Sequence, residues 1–597
     1  MELQRLYDQR QKDFARQADL LREKYNRYAV VRFLVFIIAL SISILLWTMT
    51  WWFGVLFFVI FLLGFSRFVR WHLQVKSEEE HNTHLSAINK REQDFLKYDY
   101  TDQYSGSDYV DVMHPYTVDL DVYGDHSLYQ YANRADTSIG RRRLADWLSR
   151  RASEEEISKR QKAVAELSPE VDWRQQLQAF GIGVEDQIEH VQSLKGWLDR
   201  KPIVIDTLWL KLMLWLAPLL AIASVVLYIL YIPWSVALLF FIPVAYTLRQ
   251  TNSYVSETHK ETSSSGDILA LYAKLIKHIE EHSFSSSKLV ELQSVFSSSD
   301  TSASEALKRL SYIITQLNVR YNPYVFLFNF IGLWDLHWVL RLERWKENHQ
   351  DRVLLWFDAL AQYEAISSLA TLSYNHADWT FPVITADDMI RADQIGHPLI
   401  DREKLVSNDL FVSTRGHIKL ITGSNMAGKS TFLRTIGVNI VLAMCGSVVC
   451  AKKLSLPSLQ VYTSMRTTDA LHESTSSFYA ELKRLKVIIE AVESQDDVFF
   501  ILDEILKGTN SHDRHTGSRA LIQQMIDSKG AGLIATHDLE LGDMQEKSDG
   551  SIENLRMEVK VEHGELVFDY KIEKGVSESF NATQLMREMG INIKLSQ

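Results

Sequence analysis

Charged and apolar positions divide the chain before any motif is considered. Residues 1–29 are strongly charged, with Leu3, Leu6, Phe14, Leu21 and Tyr25 at roughly helical spacing, which predicts an amphipathic helix. The segment is too long and polar for the n-region of a cleaved signal peptide. From Phe33 to Ser66 no charged residue occurs. A single helix of that length would extend about 50 Å, against a hydrocarbon core of ~30 Å. At its centre Thr48-Met49-Thr50-Trp51-Trp52 mixes polar with interface-seeking aromatic residues, so two short spans joined as a hairpin are expected. Leu212–Leu248 is likewise uncharged, with Tyr228, Tyr231, Pro233 and Trp234 near its midpoint, and predicts a second hairpin and four spans in all.

The flanks of these stretches set an orientation. Arg22, Lys24, Arg27 and Arg32 precede the first, Arg67, Arg70 and Lys76 follow it, and Lys211 and Arg249 bracket the second. Positive charge on both sides of each hairpin places both termini in the cytoplasm, with the chain a multi-pass protein of the inner (cytoplasmic) membrane. No Asp, Glu, Lys, Arg or His lies within the spans, so they read as an anchor and not as a proton or ion path. A pair of buried core helices is the competing reading.

Elsewhere the pattern is helical until His397-Pro398. Trp71–Tyr98 is charged and helical, and Gly140–Leu148 carries Arg141-Arg142-Arg143, a solvated helix start. Serine clusters between residues 263 and 304 mark loops joining helices, and 306–374 reads as packed helices. Beyond His397, short apolar strands alternate with helices, as in an α/β sheet with its site at the strand ends. The expected organisation is residues 1–110 as N-terminal helices with the first hairpin (about 33–66), 111–395 as an all-α core interrupted by the second (about 212–248), and 396–597 as an α/β domain.

That last domain carries the chemistry. Ile418–Thr422 reads as a buried strand and Phe432–Ile436 as a helix; between them lies Gly423-Ser424-Asn425-Met426-Ala427-Gly428-Lys429-Ser430-Thr431. Strand, glycine loop and helix are what a phosphate-binding loop needs. Gly423 and Gly428 let successive N–H groups point inward, and the helix start adds donors and partial positive charge. Lys429 is expected to reach the β/γ-phosphates and Ser430 to ligate Mg²⁺. Phe499–Leu502 is a second buried strand, delivering Asp503 to a Mg²⁺ shell and Glu504 to the attacking water. A third strand, 531–536, ends at His537, placed to hydrogen-bond a γ-phosphate or the lytic water. Ser474–Ser477, hydroxyls at a helix start, make an anion-binding cap for a nucleotide held by a second subunit. His512 and His515 have helical metal-ligand spacing but no third ligand nearby, so zinc is not expected there.

Composition narrows the classes. A chain of 597 residues is too long for one core, and 46% hydrophobic with 23% charged residues excludes a largely disordered chain. A net charge of −11 provides no global attraction for nucleic acid, so any DNA contact needs a local patch. The two cysteines, Cys445 and Cys450, build neither a disulfide framework nor a zinc site and are expected as buried thiols.

Four stretches together resemble the MutS family of ABC-type ATPases: Thr422–Thr431, Ser476–Leu482, Leu502–Ser511 and Ala535–Leu541, with the Asn-Met pair in the glycine loop and the Ser-x-Phe-x-x-Glu run the most specific. The resemblance covers about 400–591 and extends more weakly to Asp119–Leu148. It implies an α/β P-loop ATPase domain of ABC type preceded by an all-α core; the two transmembrane hairpins come from the uncharged stretches and not from the resemblance. It also implies ATP and Mg²⁺ as cofactors, a homodimer with two composite sites, and binding of mismatched DNA in repair. Each site would pair Lys429, Ser430, Asp503, Glu504 and His537 with Ser476 or Ser477 of the other subunit. Asn425 would lie over the phosphates, Asp513 would signal across the interface, and Phe411 is the candidate for adenine stacking. The chain departs from the family in having no Phe-x-Glu in its first 120 residues, where a hairpin stands instead, and in having little length for DNA-clamping levers. The expectation is a membrane-anchored MutS-like ATPase; the alternative is a membrane-bound mechanical ATPase acting on a protein or envelope partner without DNA, and a transporter is disfavoured by the uncharged spans.

Overall fold

The computed structural model describes residues 2–182, 188–230, 233–297, 301–466, 477–494, 497–562 and 565–577. They form two compact units. The first comprises Met1–Lys90, Ala135–Arg142 and Asp172–Glu364; the second comprises Arg91–Arg134, Arg143–Val171 and Ala365–Gln597.

The first unit is helical. Helix α1, Glu2–Met49, turns at Thr50 into α2, Trp51–Phe95. The two run antiparallel: Tyr25 stacks on His72 at 4.1 Å, Phe36 meets Phe61 at 6.4 Å, and the Ser43 hydroxyl donates to the Gly54 carbonyl at 2.9 Å. The turn falls where the polar and tryptophan-rich centre of the uncharged stretch was expected to bend. Around it most apolar side chains are exposed, among them Phe33, Leu45, Trp51, Ile60 and Leu63.

Among the described residues three helices are long and apolar enough to cross a membrane: α1, α2 and Leu208–Ile229. The fourth expected span does not form one long helix. Residues 234–248 are divided between Trp234–Ala237, a 3-10 turn at Leu238–Phe241 and the start of Ile242–Thr262. Pro233 and Pro243 lack the N–H groups that a continuous helix would need there, which is the physical reason for the break. A buried carboxylate organises the approach to Leu208–Ile229: Glu343 accepts hydrogen bonds from the N–H groups of Ile203 (2.9 Å), Val204 (3.1 Å) and Ile205 (2.6 Å) and from the Tyr254 hydroxyl (2.6 Å).

The second unit holds both sheets. A four-stranded sheet has the order β1-β5-β2-β3, from β1 (Val383–Ile384), β2 (Met389–Ile395), β3 (Asn408–Ser413) and β5 (Lys453–Leu456). The larger sheet is built from β4 (Ile418–Gly423), β6 (Gln460–Ser464), β7 (Val498–Asp503), β8 (Ala531–Thr536), β9 (Ile552–Glu562) and β10 (Glu565–Lys574). Its order is β10-β9-β4-β8-β7-β6, parallel except for the final β9–β10 pair. Strands β4, β7 and β8 are buried along their whole length, as apolar runs in a sheet covered on both faces should be. On one face Leu420, Phe500, Leu502 and Ile534 pack with Ile488, Ile522 and Met525 from the crossover helices Ser477–Ser494 and Ser511–Asp527. Helix Lys429–Cys445 is packed so closely that a Cβ on Gly437 would lie 2.7 Å from Leu120. Asp119 anchors that same segment by accepting from Thr463 Oγ1 (2.7 Å) and the N–H groups of Arg466 (3.0 Å) and Met465 (3.2 Å). Cys445 and Cys450 are free and buried, with burial pushing their thiols up to about 11 and about 12.

Candidate functional site

Register brings three strand ends level. Thr422 on β4 lies opposite Thr536 on β8, and Asp503 on β7 lies opposite Ala535 on β8. The glycine loop after β4, the carboxylates ending β7 and the histidine after β8 therefore meet at the carboxyl edge of the parallel sheet, where such sheets hold ligands.

Gly423 has φ +147 and pairs with Met557 on β9, so closely that a Cβ would sit 2.1 Å from the Met557 carbonyl oxygen. Gly428, at φ +96, turns the chain into helix Lys429–Cys445, and a Cβ there would lie 2.9 Å from the Tyr570 ring. Both positions demand glycine for conformation and for space. Ser424 precedes a single 3-10 turn, Asn425–Ala427, in which Met426 is exposed and Ala427 buried. Lys429 is buried, and its Nζ reaches back across the loop to donate to the carbonyls of Gly423 (2.8 Å) and Ser424 (2.9 Å). Burial lowers its pKa to about 8, against the upward pull of Asp503 and Glu504. Ser430 and Thr431 follow in the first helical turn, where free N–H groups gather.

Asp503 is buried, and its Oδ1 has no hydrogen-bond partner among the described residues. A buried carboxylate oxygen without a donor suits a cation, and with Ser430 beside the loop the residues fit Mg²⁺. Glu504 adopts φ +53, which swings the chain aside at the strand end while its N–H still bonds the Ala535 carbonyl at 2.9 Å. Its Oε1 lies 2.6 Å from His537 Nε2, and its Oε2 lies 3.4 Å from Lys507 Nζ. The His537 hydrogen bond, with help from Lys507, holds the carboxyl down at about 2, outweighing its burial. A carboxylate ionised at all ordinary pH and fixed by a histidine can orient and accept a proton from water.

The other expected residues are placed differently. Phe411 points out of β3, 59% exposed, with the Arg391 guanidinium 5.7 Å from its ring. It does not line the cavity of about 300 Å³ that opens beside the glycine loop. That cavity is walled by Ile395, His397, Ile400, Phe432, Met557 and Tyr570. His397 is neutral there, its pKa lowered by burial to about 4. Tyr570 reaches the loop because β10 breaks register between Phe568 and Ile572, and Asn408 fills the gap with Nδ2 bonded to the Tyr570 carbonyl (3.0 Å) and Oδ1 to the Ile572 N–H (3.0 Å). No sequence motif marks this tyrosine. Ser476 lies outside the described residues, and Ser477 opens helix Ser477–Ser494. Asp513 is bonded back to Asn510, which caps helix Ser511–Asp527. His515 meets Asp538 (2.6 Å) and Glu540 (3.9 Å), which are distant along the chain, rather than His512.

Comparison with known proteins gives two findings. Residues 419–591 match the family model for MutS domain V. The DNA mismatch repair protein MutS of Thermotoga maritima is 30% identical over 250 residues, covering 41% of this chain and 31% of that protein. The protein of the same name from Rhodopirellula baltica is 32% identical over 247 residues, covering 40% of this chain and 27% of that protein. The matched stretch thus spans less than a third of each relative's length.

Proposed function

Through residues 419–591 the chain belongs to the MutS family, and on that premise we propose that it is a membrane-anchored, Mg²⁺-dependent ATPase working as a homodimer. The observation that carries the reading is the convergence of Lys429, Asp503, Glu504 and His537 at one sheet edge, with Glu504 bonded to His537 at 2.6 Å. ATP phosphates would lie over the glycine loop, against its N–H groups and the Lys429 ammonium. The base would enter the cavity between His397 and Tyr570. Ser430 and Asp503 would hold Mg²⁺, which when bound draws negative charge from the β- and γ-phosphates. Glu504 would orient the attacking water and take its proton, with His537 fixing the carboxylate. Ser476 and Ser477 would serve the nucleotide of the partner subunit, giving two composite sites.

The anchor is supported by the uncharged stretches and by the exposed apolar side chains of α1 and α2. With basic flanks on both stretches, the termini and the ATPase domain would lie on the cytoplasmic side of the inner membrane. The relatives' name, DNA mismatch repair protein, brings a DNA-directed role to this chain at family level. The second reading, a mechanical ATPase acting on a membrane or envelope protein without DNA, is favoured by the exposed apolar hairpin itself.

The test uses detergent-solubilised full-length protein. Glu504→Gln should bind ATP like the parent and lose turnover, because the amide keeps the shape and loses the base. Turnover at the parental rate would remove Glu504 from its role. Binding to duplex DNA that weakens steeply with salt would favour the repair reading, and its absence the mechanical one.

A further inference from the structure

The turn that carries Glu504 is held in an unfavourable conformation, and what holds it comes from another helix. Glu504 and Leu506 both have positive φ, +53 and +60, in a segment with no glycine before Gly508. Non-glycine residues persist there only where their surroundings hold them. Glu481, buried on helix Ser477–Ser494, accepts the Leu506 N–H with Oε1 at 2.5 Å. The N–H groups of Lys507 and Gly508 also favour its charged form, although burial outweighs them and raises its pKa. Its Oε2 is buried with no hydrogen-bond partner among the described residues, so the carboxyl is committed to this turn. One turn earlier on the same helix, Phe478 covers Gly508 so closely that a Cβ there would lie 2.7 Å from Phe478 Cβ and 3.0 Å from its Cα. Leu506 in turn presses on Gly517, where a Cβ would lie 2.6 Å away.

We propose that Glu481 is a positioning residue for hydrolysis: it sets the turn bearing Glu504, and so couples the start of helix Ser477–Ser494 to the water-activating carboxylate of its own chain. The proposal rests on the reading of Glu504 as base and of that helix start as serving the partner's nucleotide. Each chain would then contribute to both sites through one helix, its serines to the partner's nucleotide and its Glu481 to its own. Through Phe478 against Gly508 and Glu481 on the Leu506 N–H, the helix would pass a change at its start to the turn that holds Glu504 beside His537 and Lys507.

Two variants separate positioning from packing. Glu481→Leu removes the acceptor and Glu481→Gln keeps one. Glu481→Leu should lower kcat roughly ten-fold with ATP affinity, read by a fluorescent analogue, within about two-fold of the parent, and Glu481→Gln should recover most of the rate. An unchanged kcat in Glu481→Leu overturns the proposal. So does an equal loss of turnover, affinity and thermal stability in both variants, which would mark a packing role.

Mixed dimers test which site Glu481 serves. Paired with a Ser476→Ala/Ser477→Arg chain, Glu481→Leu should regain activity, because one site then has an intact phosphate loop, Glu481 and serines. Paired with a Lys429→Ala chain it should show no such gain. The opposite pattern would mean that Glu481 acts only on the partner's nucleotide, and the proposal fails. A mixture of Lys429→Ala with the serine variant is the control: if those chains exchange and stay inactive, the composite-site reading fails, and the kcat-against-affinity result still judges Glu481.

Discussion

Burial holds the Lys429 ammonium near 8, and the neighbouring carboxylates offset it only in part. Below that pH the lysine is a cation and meets phosphate at full charge; above it, nucleotide binding must first take up a proton. ATP affinity should therefore be flat from pH 6 to 7.5 and fall by about ten-fold per pH unit above 8, in a titration with a fluorescent nucleotide. A flat profile to pH 9.5 would mean the lysine keeps its proton unaided. Tyr570→Ala should weaken ATP binding about ten-fold with little change in kcat, because a ring stacked on a base contributes roughly 1–3 kcal/mol. At this scale the placement was legible where a strand end fixes a position: Gly423, Gly428, Lys429, Asp503, Glu504 and His537 all come to one sheet edge. It was not legible at Tyr570, since a strand irregularity, and not a motif, turns that ring toward the loop. Phe411 had only proximity along the chain in its favour, and the alternation of β3 points it to solvent.

Elements were legible where one physical rule dominated. The uncharged stretch 33–66 turns at Thr50, inside the polar and tryptophan-rich centre that its composition marked. The second stretch obeyed two rules at once, and its prolines overrode its hydrophobicity beyond residue 232. In the first hairpin the helices touch closely at Gly54, where a Cβ would come 2.7 Å from the Ser43 carbonyl oxygen and 2.9 Å from the Trp47 nitrogen. Small residues at such crossings let helices pack where lipid supplies no hydrophobic drive. Gly54→Val should destabilise the solubilised protein by about 1–3 kcal/mol, seen as a lower unfolding temperature. Gly64→Val is the matched control, since nothing lies within 4 Å of its Cβ position and the unfolding temperature should not move.

For the whole molecule the count of crossings decides where the ends lie. If the proposed anchor is right, the α1–α2 hairpin would return the chain to its starting side, whereas Leu208–Ile229 alone would leave residues 396–597 on the far side from the N-terminus. On the same proposal, the basic flanks Lys211 and Arg249 would have residues 234–248 return, broken helix or not. The protein should therefore stay with membranes through alkaline carbonate and high salt, and tags at both termini should be reachable only from the cytoplasmic side of sealed vesicles. A C-terminal tag exposed on the opposite side would mean an odd number of crossings, and release by carbonate would mean that the hairpin does not cross.

The close approach at the glycine loop also bears on inheritance. Every missense change in the codon for Gly423 introduces a Cβ, and the obstacle it meets is the main-chain oxygen of Met557. That oxygen is present whatever side chain residue 557 carries, so no compensating substitution at position 557 can make room. Codon 423 should accept synonymous changes alone, and a search for intragenic suppressors of a Gly423 mutant should return reversion to glycine.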